Sequence, residues 1–227
     1  MVKKKLIIIT GPQGSGNHLW AKILSEHPAV FGWNMKDYWE GHHHEPFQGV
    51  WLNEQSFDDL PLKDYNVTSI SCPFVHNGIN RIPEYQGFIH KAKKANLDVR
   101  FVVLSRDINI LLMQQSRVRK DFTTPIFLEV LKHQAVDHFL SMETLFLYKE
   151  KYLHQLELDL GIPIDIEKAK KHIDETNQNL KYVHQVPEQP LDLEVKKAKQ
   201  ESMDFNDRQR ELVDLNWDGS ESKTIRS

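Results

Sequence analysis

Apolar runs and amphipathic segments alternate along the chain from residue 3 to about residue 175. The first run, residues 3–10, ends at Gly11-Pro12, which predicts a strand buried on both faces of a parallel sheet. From His18 the apolar residues recur at helical spacing until Pro28 stops them, so a helix begins directly after a glycine-rich turn. The same patterns predict strands at residues 29–33, 67–72 and 99–105, and helices at residues 84–96 and 108–119.

The later part of the chain has a less regular pattern. Residues 125–142 predict one longer helix with a proline in its first turn, and residues 144–148 predict a last strand, with one continuous helix as its main competitor. Residues 149–160 predict a helix closed by Gly161, and a short helix follows from Asp165. Residues 37–64 are irregular and long for a structureless loop, so we expect them to cover or build a site.

Strands that alternate with helices predict a three-layer α/β/α fold with a mostly parallel central sheet. The chain has 227 residues, of which 40% are hydrophobic, which suits one sizeable core. We therefore expect one α/β domain over residues 1–185. Residues 186–227 are polar and predict an extension that is partly helical or mobile.

Charge and cysteine usage limit the classes of partner. The formal net charge is −3 with 12 histidines counted as neutral, so no global basic field favours nucleic acid. The single cysteine, Cys72, cannot form an intramolecular disulfide, and no cleavable signal is recognisable. No apolar stretch approaches the roughly 18 residues that a spanning helix needs. We expect a cytoplasmic protein that is not integral to a membrane.

The turn between the first strand and the first helix has the glycine placement of a P-loop, in which backbone N–H groups curl around an anion at a helix N-terminus. A nucleotide triphosphatase would place Lys and then Ser or Thr at its end, to hold phosphate and Mg²⁺. Here these residues are Asn17 and His18. The turn predicts a phosphorylated ligand that no magnesium ion clamps.

Five segments, taken in order, resemble the sulfotransferase superfamily, which uses 3′-phosphoadenosine-5′-phosphosulfate (PAPS) and no magnesium. Ser15-Gly16-Asn17-His18-Leu19 falls on the family's 5′-phosphosulfate loop, and residues 24–30 (LSEHPAV) are similar to the end of its first helix. Residues 102–107 (VVLSRD) resemble its strand-plus-arginine motif. Residues 145–150 look like its late strand, and residues 160–165 look like its "LG-h-P-h-D" segment.

The resemblance implies a PAPS site and residues that line it. Its 5′ side would be held by the turn residues Gly14, Ser15, Gly16, Asn17 and His18. Its 3′-phosphate would be held by Arg106, together with a serine about two turns later. Eight residues past Arg106 stands Gln114, so Ser116 is the nearest hydroxyl. The family's C-terminal Arg-Lys-Gly stretch is not recognisable, so the cofactor pocket is altered or the cofactor is no longer PAPS.

The resemblance also implies sulfuryl transfer to a hydroxyl or amine of a small-molecule or carbohydrate acceptor. The family's base is a Glu or His after the second strand or at the end of the third. Here the first place offers Glu40, which we favour, and the second offers His76. Either residue is equally compatible with an ordinary solvated loop position.

Two other functions remain open. A P-loop kinase with a non-standard loop would phosphorylate a small molecule and would need ATP with Mg²⁺. A catalytically inactive nucleotide-binding or scaffold protein would suit the atypical Asn17, His18 and Gln114.

Three further clusters have both a functional and an ordinary interpretation. His42-His43-His44-Glu45 has metal-ligand chemistry, but consecutive residues of an extended chain point to opposite faces, so we predict no metal site. Four aromatic residues nearby would suit stacking on a ring or core packing: Tyr38, Trp39, Phe47 and Trp51. Three basic residues would assist a phosphate or face water: Arg117, Arg119 and Lys120.

Overall fold

A parallel sheet of five strands forms the centre of the molecule. The computed structural model describes residues 3–33, 45–118 and 122–175, all of which belong to one compact unit, Met1–Tyr182. Its strands are β1 (Lys5–Gly11), β2 (Val30–Phe31), β3 (Tyr65–Ser71), β4 (Phe74–His76), β5 (Ile79–Arg81), β6 (Asp98–Ser105) and β7 (His138–Ser141). The central sheet has the order β2-β3-β1-β6-β7, while β4 and β5 form a separate antiparallel hairpin.

Helices cover both faces of this sheet. They are α1 (Asn17–Ser25), α2 (Gln48–Trp51), α3 (Tyr85–Lys94), α4 (Ile108–Val118), α5 (Thr124–Leu131), α6 (Met142–Tyr148), α7 (Glu150–Leu160) and α8 (Ile166–Glu175), with a 3₁₀ turn at Phe57–Asp59. No helix in these described ranges combines the length and the apolar character needed to cross a bilayer.

The central strand β1 divides the core into two clusters, because alternate side chains of a strand point to opposite faces. Ile7 and Ile9 pack in one cluster with residues of α1, α6, α7 and α8. Leu6 and Ile8 pack in the other cluster with residues of α2, α3 and α5. The predicted three-layer α/β fold with a parallel central sheet is confirmed.

The predicted helix over residues 125–142 is wrong. Helix α5 ends at Leu131, and strand β7 then pairs in parallel with β6 at the edge of the sheet. Asp137 secures this pairing, because its N–H donates to the carbonyl oxygen of Phe101 (2.9 Å) and its carboxylate accepts from the Phe101 N–H (2.7 Å). These long-range hydrogen bonds outweigh the local helical pattern.

The predicted strand over residues 144–148 is also wrong, because these residues belong to helix α6. The Ser141 hydroxyl caps the start of α6 by accepting a hydrogen bond from the Thr144 N–H at 3.1 Å. One continuous helix is not found either, since Lys149 separates α6 from α7 with φ 39° and ψ −111°. The segment 145–150, which resembled a late strand of the family, is therefore not a strand here.

The hairpin of β4 and β5 was not predicted. Its turn residues Asn77 and Gly78 both have positive φ, 52° and 74°, as the two central residues of a type I′ turn require. The hairpin follows the carboxyl end of β3 and carries His76. It thereby adds a wall at the edge of the sheet where parallel α/β proteins bind ligands.

Candidate active site

Two glycines shape the turn that joins β1 to α1. Gly14 and Gly16 have φ of 91° and 101°, a left-handed region that residues with a Cβ rarely adopt. Both are also tightly packed: a Cβ on Gly16 would lie 2.7 Å from Met142 Sδ, and one on Gly14 would lie 3.2 Å from Gln114 Cδ. The backbone path of the turn therefore depends on glycine at both positions.

The backbone amides of this turn are available to a ligand. No hydrogen bond between described residues uses the N–H groups of Gly14, Gly16 or Asn17, and α1 has no side-chain cap. Helix α1 begins at Asn17, so these donors lie at the positive end of its dipole. Such an arrangement favours an anion.

Ser15 has a structural part in the turn. Its N–H and its hydroxyl both donate to the carbonyl oxygen of Pro12, at 3.1 and 2.7 Å, and the residue is fully buried. The Asn17 side-chain amide donates to Ser15 Oγ at 3.2 Å. The Ser15 side chain thus holds the turn in shape, while Gly14, Gly16 and Asn17 supply the unbonded amides.

Arg106 reaches the turn from the end of β6. Its Nη1 donates to the carbonyl oxygen of Gly14 and, at 2.5 Å, to Gln114 Oε1 on α4. Gln114, which stands where the resemblance expects a serine, is therefore a partner of Arg106. Ser116 is exposed, and its hydroxyl donates to the Met113 carbonyl oxygen at 2.9 Å.

Buried hydrogen bonds connect Gln13, in the first half of the turn, to Gln115 on α4 and to Thr123 at the start of α5. Gln115 Nε2 donates to the carbonyl oxygen of Gln13 at 2.6 Å, and the Gln13 N–H donates to Thr123 Oγ1 at 3.2 Å. The Thr123 N–H in turn donates to Gln115 Oε1 at 3.1 Å. Sequence analysis missed this network, because a glutamine in an amphipathic helix gives no signal of its distant partners.

A cavity of about 290 Å³ lies next to the turn, whose residues Gln13 and Asn17 form part of its lining. It lies among α1, α2, the end of β3 and the hairpin. Its lining includes Gln13, Asn17, His18, Glu45, Ser69 and His76. The structure therefore brings the predicted residues Asn17, His18 and His76 to one cavity, and it adds Glu45.

Glu45 is the most perturbed acid of the cavity. Burial raises the pKa of its carboxyl from 4.5 to about 8, against the lowering effect of its hydrogen bonds. Oε1 accepts from the Thr68 hydroxyl at 2.8 Å, and Oε2 accepts from the Ser69 N–H at 3.3 Å. At neutral pH this side chain is mainly protonated, and it becomes a base only as the pH approaches 8.

Glu45 was considered only as a member of the histidine-rich segment, not as a base. Burial of a carboxyl depends on the fold, so no local signal marked it. Within the described ranges, no group of three or more His, Cys, Asp or Glu side chains is arranged to hold a metal ion. His42, His43 and His44 lie outside those ranges.

The two predicted histidines line the cavity from different elements. His18, on α1, meets the Trp33 ring edge to face, with the ring centroids 4.9 Å apart. His76, on the hairpin, is half-buried, and its Nε2 lies 3.1 Å from Asn77 Nδ2. Both imidazoles thus line the same cavity.

Several predicted residues lie outside the described part of the chain. Among them are Glu40, the favoured base, and the aromatic residues Tyr38 and Trp39. The basic residues Arg119 and Lys120 and the side chain of Arg117 are also outside it, as is the predicted extension over residues 186–227. The roles that the sequence predicts for these residues therefore remain predictions. By contrast, the other two predicted aromatic residues, Phe47 and Trp51, are buried in the core.

The sequence matches no protein-family model and no curated protein. Among solved structures, the chain is similar to mouse sulfotransferase SULT7A1 complexed with PAP, with 14% identity and a TM-score of 0.36. The match covers 78% of this chain and 66% of that one, just under two thirds of its length. A likeness at this level does not bear on the ligand or activity of the present protein.

Proposed function

We propose that this protein is a sulfotransferase-like enzyme that binds PAPS and transfers its sulfuryl group to a hydroxyl or amine of a small-molecule or carbohydrate acceptor. One observation carries the proposal. Asn17, at the end of the turn with unbonded amides, lines the cavity that also contains the carboxyl of Glu45. An anion site and a proton acceptor thus adjoin one space for a small molecule.

The residues at the turn fit the anionic end of PAPS. Amides of Gly14, Gly16 and Asn17 make a donor set that suits the 5′ phosphate and sulfate oxygens without a metal ion. On the 3′ side, Arg106 would exchange its bond to Gln114 for a phosphate oxygen, with Ser116 as a second donor. The lack of a lysine in the turn favours this cofactor over a nucleoside triphosphate.

Proton transfer from the acceptor is assigned to Glu45. When bound, PAPS supplies an activated sulfuryl group, whose S–O bond to phosphate breaks as the acceptor oxygen or nitrogen bonds to sulfur. Ionised Glu45 takes the proton that the acceptor loses, while the turn amides stabilise the negative charge that develops on the 5′-phosphate. His76 is the alternative base among the cavity residues, and Glu40 remains the alternative from the resemblance.

A thermal-shift comparison tests the proposal, because a ligand that binds only the folded state raises the melting temperature. We expect adenosine 3′,5′-bisphosphate to raise it without magnesium, and ATP with Mg²⁺ to leave it near that of buffer. A shift with ATP and Mg²⁺ alone would replace this proposal by the kinase hypothesis. No shift with either ligand would favour an inactive or scaffold protein.

A further inference from the structure

Glu45 is held by donors on both of its carboxyl oxygens. Trp51 Nε1 donates to Thr68 Oγ1 at 3.0 Å, so the hydroxyl proton of Thr68 points onward to Glu45 Oε1 at 2.8 Å. Ser69 N–H supplies the donor to Oε2. This arrangement is complementary to a carboxylate, since both oxygens act as acceptors. Burial alone opposes that ionised form.

A counter-ion for this carboxylate is not found in the described part of the chain. No ion pair there involves Glu45, and the cavity lining contains no lysine or arginine. The other titratable side chains lining it are His18 on α1 and His76 on the hairpin. Without a counter-ion such a carboxyl takes up a proton, as the raised pKa of Glu45 shows. A bound cation would let it ionise, because a desolvated carboxylate is stable when it is paired.

Two further lining residues carry spare acceptors. Gln13 and Asn17 are 6% and 7% exposed, and Gln13 Oε1 and Asn17 Oδ1 are buried without a hydrogen-bond partner. The orientation of the Asn17 amide is set by its Nδ2, which donates to Ser15 Oγ and to the Pro12 carbonyl oxygen. Unpaired buried acceptors are costly, and a ligand with several N–H donors would satisfy them.

From these contacts we infer that the cavity binds a small amine in its ammonium form, with the nitrogen against Glu45 and an apolar or aromatic body against an aromatic lining residue, Trp33 or Trp51. A protonated amine offers a positive charge to Glu45 and N–H donors to the unpaired acceptors Gln13 Oε1 and Asn17 Oδ1. Aromatic side chains favour a cation or a flat ring beside them. The inference names the acceptor class of the proposed transferase, and it rests on that function only in treating the bound amine as the acceptor. For transfer, the ammonium would first give one proton to ionised Glu45, which frees the nitrogen lone pair, and the second proton would leave to solvent as nitrogen bonds to sulfur.

The test compares three probes of similar size by titration calorimetry at pH 7: 2-phenylethylamine, 2-phenylethanol and phenylacetate. We expect the amine to bind at least about tenfold more tightly than the alcohol, a difference of about 1.4 kcal/mol, and the carboxylate to bind more weakly than both. Binding of the amine should release about one proton, because Glu45 must ionise to pair with it. Titrations in phosphate and in Tris buffer measure that release. Equal affinities for amine and alcohol, or no proton release, would overturn the inference.

Variants separate Glu45 from the histidines. Glu45→Gln should abolish both the preference for the amine and the proton release while leaving the affinity for the alcohol within about twofold. Glu54→Gln, which alters an exposed carboxyl nearby, should change neither. If Glu45→Gln keeps the preference, Glu45 is not the partner and the inference fails. If Glu45→Gln does not fold, the affinities of the wild-type protein for the three probes and the proton release measured in the two buffers still test the inference.

A separate thermal shift with adenosine 3′,5′-bisphosphate distinguishes this inference from the proposed function. A shift with the nucleotide but no amine preference would leave the transferase proposal in place and remove the amine. An amine preference without a nucleotide shift would support the amine site and remove PAPS.

Discussion

Gln115 holds Gln13 across 102 residues of sequence, because its Nε2 donates to the Gln13 carbonyl oxygen at 2.6 Å in the core. Two side chains from outside the glycine turn therefore hold it in place. Gln115 of α4 bonds to the Gln13 carbonyl oxygen, and Arg106 bonds to the Gly14 carbonyl oxygen. The proposed anion site depends on these two hydrogen bonds as well as on the positive φ of Gly14 and Gly16. Each of the following predictions tests one of the contacts that build the site.

Gln115→Ala should destabilise the fold by about 2–4 kcal/mol, because it leaves the Gln13 carbonyl and Thr123 groups buried without partners. It should also weaken the melting-temperature shift caused by adenosine 3′,5′-bisphosphate. Urea unfolding and the thermal shift measure the two effects. Gln86→Ala is the matched control, since Gln86 pairs with Gln134 at the surface, and it should stay within about 0.5 kcal/mol of the wild type. Equal effects of the two variants would contradict the role given to Gln115.

Gly16→Ala should remove nucleotide binding. An alanine there would have to adopt φ near 101°, and its Cβ would press on the Met142 sulfur, so the turn must change its path at a cost of at least about 1–2 kcal/mol. Gly87→Ala is the control, because a Cβ on that helical glycine meets nothing within 4 Å. The thermal shift with adenosine 3′,5′-bisphosphate should be lost in the first variant and kept in the second. A full shift in Gly16→Ala would show that the turn does not hold the ligand.

Arg106→Ala should weaken binding of adenosine 3′,5′-bisphosphate at least about tenfold, through the loss of a cation and of the bond to the Gly14 carbonyl oxygen. Arg106→Lys should restore only part of the affinity, since an ammonium lacks the planar fork of a guanidinium. Calorimetric titration gives both dissociation constants. Arg100→Ala, which removes a half-exposed arginine 3.9 Å from Asp137, should bind as the wild type does. Equal affinities of the Arg100 and Arg106 variants would exclude a phosphate contact by Arg106.

Glu45 should make the stability of the protein fall as the pH rises. The pKa of its carboxyl is about 8 in the folded state and near 4.5 when unperturbed, so between these values the folded state binds more protons than the unfolded state. Its favourable contribution is complete below pH 4.5 and is lost progressively up to pH 8. Glu45→Gln should remove this loss, which amounts to a few kcal/mol at most.

Urea unfolding at pH 5 to 9 measures that effect. The difference in free energy of unfolding between Glu45→Gln and the wild type should shift in favour of the variant as the pH increases, and it should level off above pH 8. Glu54→Gln, on the surface, should show no such trend. Parallel pH profiles for wild type and Glu45→Gln would mean that Glu45 ionises freely in the folded protein.

Much of the fold was accessible from the sequence. Apolar runs located β1 and β6 to within two residues of their observed ends, because a strand covered on both faces has no polar side. The strand-forming residues 67–72 located β3 equally well. Likewise, the start of α1 after the glycine turn and the end of α7 at Gly161 were correctly predicted. Such signals are local, since backbone conformation at glycine and the spacing of apolar residues act within a few residues.

By itself, the sequence determined a parallel α/β core with a glycine turn between a buried strand and a helix, because these features follow from periodicity and from the conformational freedom of glycine. Only the tertiary structure decided that residues 138–141 form an edge strand, that the Glu45 carboxyl accepts hydrogen bonds from Thr68 and Ser69, and that Gln115 and Arg106 bond to the turn. Each of these depends on a partner distant in sequence. Strand pairing, desolvation of a carboxyl and hydrogen bonds between separate elements arise when the layers pack, and no short window of sequence contains both partners.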